Sequence, residues 1–186
     1  MKYSTVLLFL LFGVLFNTTN AGTSGWNTFI CPNSAGHFSV SFPNGGEING
    51  MNSQDFEDRF KDKNGTFSYW YIVSFEDSNV ADTPELIFKN KLDSISENYH
   101  PDKIYHKIAK FQGHPCCEYD YFCIDSPLGA ERVIQRLIVV GKRIYTIKFQ
   151  KFAFAHSQEE MSFRSLKAKE YPNAVKFLNS LRINIH

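Results

Sequence analysis

From Trp26 onward the chain runs in short apolar–polar alternations broken by turn residues, with a clear helical period in two stretches. Trp26 to Cys31 reads as a short strand, Pro32-Asn33-Ser34-Ala35-Gly36 as a turn, and His37 to Phe42 as a second strand with Phe38, Val40 and Phe42 on one face. Pro43-Asn44-Gly45-Gly46 ends this opening hairpin. The polar region from Asn49 to Gly65 predicts one or two weaker strands and a charged turn at Lys61-Asp62-Lys63-Asn64-Gly65. Phe67 to Phe75, rich in aromatic and β-branched residues, predicts a strong strand. Asp82-Thr83-Pro84-Glu85 starts a helix, since Thr83 can cap, Pro84 fits the first position and Glu85 suits the positive end of the dipole. Phe88, Leu92, Ile95 and Tyr99 give that helix one apolar stripe, and Pro101 lies just beyond its end.

The next segment predicts an antiparallel meander. Ile104 to Phe111, Cys116 to Ile124, Glu131 to Val140 and Arg143 to Phe152 are strands, separated by Gln112-Gly113-His114-Pro115, Pro127-Leu128-Gly129 and Gly141-Lys142. Cys117, Tyr119, Tyr121 and Cys123 share a face that Leu137 and Val139, and Tyr145, Ile147 and Phe149, can continue. Opposite lie Glu118, Asp120, Arg132, Arg136 and Lys148, which read as a solvated face whose cross-strand pairs contribute about 0.2–1 kcal/mol each. Ser157-Gln158-Glu159-Glu160 fits a capping box. Pro172 to Leu181 is the last helix, with Ala174, Phe177, Leu178 and Leu181 as its stripe, and Ile183 and Ile185 append a short strand. Few helices and antiparallel strands make the α+β class: an antiparallel β-sheet flanked by helices.

The N-terminus reads as an address. Lys2 precedes an 11-residue apolar run, Val6 to Phe16, then Asn17-Thr18-Thr19-Asn20 and Ala21. This is the pattern of a cleaved secretory signal peptide over residues 1–21, leaving a single domain at 22–186. The run falls short of the ~20 apolar residues that span a bilayer, and no comparable run follows, so the exported chain is expected to be soluble, without a transmembrane segment, and periplasmic or extracellular. Lys2 is the only charged residue in the leader, so the remainder carries 19 bases and 19 acids. A formally neutral chain has no global field for nucleic acid. Export permits disulfides. Cys117 and Cys123 sit too far apart on one strand to pair, so a bridge would use Cys31 with Cys116, Cys117 or Cys123, or join the neighbours Cys116 and Cys117. Four buried thiols are the equal alternative. Asn64-Gly65-Thr66 is a glycosylation sequon, meaningful in a eukaryotic secretory pathway.

With this element order the chain resembles the PsbP/Mog1/DcrB-like family. The resemblance rests on Phe38-Ser39-Val40-Ser41-Phe42-Pro43, on Phe111-Gln112-Gly113-His114-Pro115 followed by Cys117-Glu118-Tyr119, on Lys142-Arg143-Ile144-Tyr145-Thr146-Ile147, and on Phe177-Leu178-Asn179-Ser180-Leu181. It spans most of residues 28–185. It implies an antiparallel sheet flanked by helices and a non-enzymatic role, since known members are accessory subunits of photosystem II, a Ran-GTPase-binding factor and bacterial envelope proteins. It carries over no binding residue, because the group shares no active-site motif. The secretory signal argues against the nuclear role.

The chemistry-bearing residues add little to that. Histidines stand at 37, 100, 106, 114, 156 and 186. His100-x5-His106-x7-His114 is not metal spacing, and His114 reads as part of a rigid turn. Cys117 with a histidine would make a nucleophile–base pair, but no flanking signature supports it. Glu57-Asp58 and Glu159-Glu160 are neighbours in sequence and do not face each other across a substrate. Trp70 points away from Tyr69 and Tyr71, and burial under a helix is its simplest fate. The sequence therefore assigns no catalytic, cofactor-binding or metal residue. It predicts a non-enzymatic, exported binding or accessory protein of the cell envelope that takes a protein or small ligand. The alternative is a small secreted hydrolase that assembles two of His100, His106, His114 and Cys117 in space, or a metal site.

Overall fold

The computed structural model describes residues 25–31, 37–43, 47–50, 55–61, 67–78, 82–101, 103–126, 129–153 and 171–184. The expected leader, Asn64, the Ser157–Glu160 box and Ile185 lie outside them. The described chain forms ten strands and two helices. β1 (Trp26–Ile30), β2 (Phe38–Pro43), β3 (Glu47–Gly50), β4 (Asp55–Lys61) and β5 (Phe67–Asp77) lead into α1 (Pro84–Tyr99). β6 (Lys103–Phe111), β7 (His114–Ser126), β8 (Gly129–Val140) and β9 (Arg143–Ala153) are the meander. α2 (Tyr171–Ser180) and β10 (Arg182–Ile183) follow.

The strands make two antiparallel sheets. The large one has the order β3-β4-β5-β9-β8-β7-β6, and the small one the order β1-β2-β10. The α+β architecture is thus three layers: α1 on one face of the large sheet, and α2 with the small sheet on the other. α1 begins as its sequence dictates, with Thr83 Oγ1 accepting the Leu86 N–H at 3.3 Å and Pro84 at the first position. Its stripe of Ile87, Phe88 and Ile95 packs on Cys117, Tyr119, Tyr121, Cys123, Val133, Leu137, Val139 and Ile144. The Tyr119 hydroxyl donates to the Phe88 carbonyl at 2.8 Å. On the other face Phe38, Val40 and Phe42 meet Ala174, Phe177, Leu178 and Leu181, and both sets bury Tyr71, Val73, Phe75, Ile147 and Phe149.

Three expectations are corrected. Register pairs Leu137 with Thr146 and Arg136 with Ile147, so Tyr145, Ile147 and Phe149 face α2, not the Cys117 side. A one-residue difference in pairing moves a strand's whole side-chain set across the sheet. By the same register Lys148, opposite Gln135, stands on the α1 face. The charged face is only partly solvated: Arg136 is 8% exposed and the Arg132 side chain that grips Asp120 16%, while their acids Glu118 and Asp120 keep more contact with water. The small sheet and α2 cover that face, which strand periodicity alone could not show. The central turn is also shorter than expected: Gln112 (φ 50) and Gly113 (φ 86) form a two-residue turn with both residues left-handed, and His114 and Pro115 already belong to β7.

Candidate functional site

The residues that an enzyme reading would need fall around the β6–β7 hairpin, where His106 and Cys117 share the α1 face and His114 lies on the other. His106 stands opposite Tyr119 and is exposed on the α1 face. His114 stands opposite Phe111 on the other face and is half-buried. His100 is the exposed, left-handed C-cap of α1 (φ 41), and His37 precedes β2. His156 and His186 lie outside the described residues. Cys117 is buried under α1, and burial pushes its thiol pKa up, against the thiolate that a nucleophile needs. All four cysteines are buried thiols, and burial pushes Cys116 up to about 12 despite the opposing pull of Arg136. Among the described residues, no group of three His, Cys, Asp or Glu side chains is placed to hold a metal ion. Trp70 is half-buried on the α1 face, its ring 4.8 Å from that of Phe152.

The hairpin does present another feature: β6 ends the seven-stranded sheet and, among the described residues, pairs only with β7. Its register runs unbroken from Lys103↔Phe122 to Phe111↔His114. Phe111 and His114 flank a two-residue turn, so they exchange both backbone hydrogen bonds, and alternate residues of β6 do the same. The backbone N–H and C=O of Ile104, His106, Ile108 and Lys110 therefore point outward. Pro115 agrees with this alternation, because its missing N–H falls where β7 would face away from β6, ahead of the first β8 pair at Cys116.

The side chains along this edge have one sign. From Lys103 to Cys117 there are three lysines, two histidines and no acid. His106, Lys107 and Lys110 are exposed, and two large apolar side chains stand out between them: Tyr105 at 55% exposure and Ile108 at 64%. The hairpin is held rigidly behind this edge. The Gln112 side chain donates Nε2–H to the Leu181 carbonyl at 2.6 Å and accepts the Ile183 N–H at 3.2 Å, clamping the turn to the α2–β10 corner. Arg136 lies 4.5 Å from the Phe111 ring centre, donates to Glu118 Oε1 at 2.9 Å from Nε and to the Leu178 carbonyl at 3.0 Å. The sequence singles out Phe111 to Pro115 as fold-bearing but gives Ile108 no signal beyond its place in a strand. A strand's neighbours decide whether its outer edge is covered, and one strand's residues do not reveal them.

No protein-family model and no curated protein sequence matches the chain. Solved structures do match. The solution structure of cyanobacterial PsbP (CyanoP) from Synechocystis sp. PCC 6803 aligns with a TM-score of 0.54 and 11% identity, over 92% of this chain and 99% of that one. The fold is PsbP-like. A Bacteroides thetaiotaomicron crystal structure aligns with a TM-score of 0.52 and 12% identity over 86% of this chain. It covers 48% of the Bacteroides protein, so this chain spans about half of that protein's length. A Pseudomonas aeruginosa protein of unknown function aligns with a TM-score of 0.41 and 11% identity, over 73% of this chain and 88% of that one. Within the PsbP-like fold the β6–β7 hairpin is thus a rigid, basic, solvent-facing edge. No helix among the described residues is long and apolar enough to cross a membrane.

Proposed function

We propose that the protein is an exported, non-enzymatic accessory protein of the cell envelope that docks an extended acidic segment of a partner protein on the outer edge of β6. The observation that carries this reading is the edge itself: outward backbone groups at Ile104, His106, Ile108 and Lys110, an exposed Ile108, and a run of bases without an acid. Strand addition takes affinity from main-chain hydrogen bonds and specificity from alternate side chains. Lysines on an edge repel a second copy of the same edge, so self-pairing is disfavoured while an acidic strand is attracted. Burial of Cys117 and the placement of His106 and His114 on opposite faces support a role without bond-making. The leader-like residues 1–21 support export, and the accessory roles of PsbP-like proteins agree with a docking function.

The test uses the exported protein and a ten-residue peptide alternating Glu with Val. Binding should shift and slow the exchange of the Ile104, His106, Ile108 and Lys110 amides, and a Lys–Val peptide should not bind. Ile108→Pro removes an outward donor and leaves the β7 ladder intact, so it should abolish binding with the unfolding midpoint nearly unchanged. Shifts centred elsewhere, or full binding by a folded Ile108→Pro protein, would overturn the docking role. N-terminal sequencing of the envelope fraction should begin at Gly22. An intact Met1 in the cytosol would overturn export.

A further inference from the structure

A separate polar surface lies on the outer face of the small sheet. Thr28 pairs with Ser41, and Arg182 with Ser39, so these side chains share the face opposite Phe38, Val40 and Phe42. Together with Lys176, Asn179 and Ser180 of α2 they line an open groove of about 440 Å³. Among the described residues no carboxylate lines it.

The hydrogen bonds already made there leave several donors over. Ser180 Oγ accepts the Ser41 N–H at 2.9 Å and can donate to the Phe177 carbonyl at 2.7 Å, while Thr28 Oγ1 and Ser41 Oγ lie 3.1 Å apart. Asn179 Oδ1 accepts from Arg136 Nη2 at 3.2 Å, which leaves the Asn179 Nδ2 amide for the groove. Arg182 uses Nη1 alone, on the Asn179 and Leu181 carbonyls at 2.6 and 2.8 Å, so the rest of its guanidinium remains available. Lys176 Nζ sits 4.5 Å from the Trp26 ring centre. Among the described residues neither cation has an acid partner. The C-terminal end of α2 would ordinarily repel an anion. Here its last carbonyls are taken: Phe177 by Ser180, Leu178 by Arg136 and Asn179 by Arg182.

We infer that this groove binds a small ligand through an oxyanion, a carboxylate or a phosphate, held between Lys176 and Arg182 with Asn179 Nδ2 and the Ser39 hydroxyl as further donors. Charge-assisted bonds from an arginine fork to an oxyanion are the strongest such a surface can offer. The site is independent of the β6 edge, and the two stand or fall separately.

Amide NMR titrations of the exported protein with inorganic phosphate and with succinate, at constant ionic strength against sodium chloride, test it. Either probe should give saturating shifts at Ser39, Ser41, Asn179 and Ser180, with quenching or enhancement of Trp26 fluorescence as Lys176 leaves the ring. Lys176→Gln, on an exposed helix face, should weaken binding about five- to tenfold without loss of folding, and Arg182→Gln at least as much. Shifts that never saturate, that chloride reproduces, or that persist in a folded Lys176→Gln/Arg182→Gln protein would sink the proposal.

Discussion

Gln112 shows how one residue ties local strain to tertiary packing. Its left-handed backbone costs a non-glycine residue about 1–2 kcal/mol. Two side-chain hydrogen bonds, to Leu181 and Ile183, offset that strain. Gln112→Ala should therefore lower stability by about 1–2 kcal/mol in urea unfolding. Gln112→Asn keeps a side chain suited to the turn but falls short of Leu181, so its loss should be smaller than that of Ala. Equal losses would show that the turn preference contributes nothing beyond the clamp. Cys116 gives a pH dependence with a definite sign. Burial raises its thiol from the ordinary 9.0 to about 12, so the folded state prefers the neutral form more than the unfolded state does. This stabilisation is complete below pH 9 and is lost as pH rises from 9 towards 12. Under reducing conditions the pH 9–11 fall in stability should be shallower in Cys116→Ala than in the parent.

At the scale of elements, Arg136 joins four of them: β8, which carries it, β7 through Glu118, α2 through Leu178 and Asn179, and β6 through the face of Phe111. The Glu118 side chain remains 41% exposed, so breaking this pair leaves a partly solvated carboxylate and not a fully buried one. Arg136→Met should cost about 2–3 kcal/mol, at or below the lower end for buried pairs, and Arg136→Lys should not restore it because a single ammonium cannot serve the fork and the ring together. The edge strand has its own signature. Hydrogen exchange along β6 should alternate, fast at Ile104, His106, Ile108 and Lys110 and slow at Tyr105, Lys107 and Ala109. Uniform protection along β6 would mean that its outer edge is already paired.

At the scale of the molecule, the large sheet separates two apolar layers, one with α1 and one with α2 and the small sheet. Substitutions on opposite sides should be independent. Ile95→Val and Phe177→Leu should add within about 0.5 kcal/mol, whereas Phe177→Leu and Phe42→Leu, whose rings lie 5.4 Å apart, should couple by more than that. A double-mutant cycle in urea decides it. Strong coupling across the sheet would mean that the two layers behave as one core.

Element types were legible because each depends on local pattern. The Thr83-Pro84 start, the Phe88–Tyr99 stripe, the Phe38-Val40-Phe42 alternation and the Phe177-Leu178-Leu181 stripe all formed as read. So did the antiparallel order of the meander, which short turns enforce. Three things lay beyond any local pattern: which face β9 turns to α2, that Arg136 is buried, and that β6 has no strand on its outer side among the described residues. Each depends on register or on segments far along the chain, as when the small sheet, built from residues near 30, 40 and 182, covers a charged face more than 70 residues from any of its β1–β2 strands. The basic run from Lys103 to Cys117 was visible in the sequence, but only the end position of β6 in the sheet turned it into an exposed basic edge. The side chains written in order determine what each segment can bury, and long-range pairing decides what is left for a partner to touch.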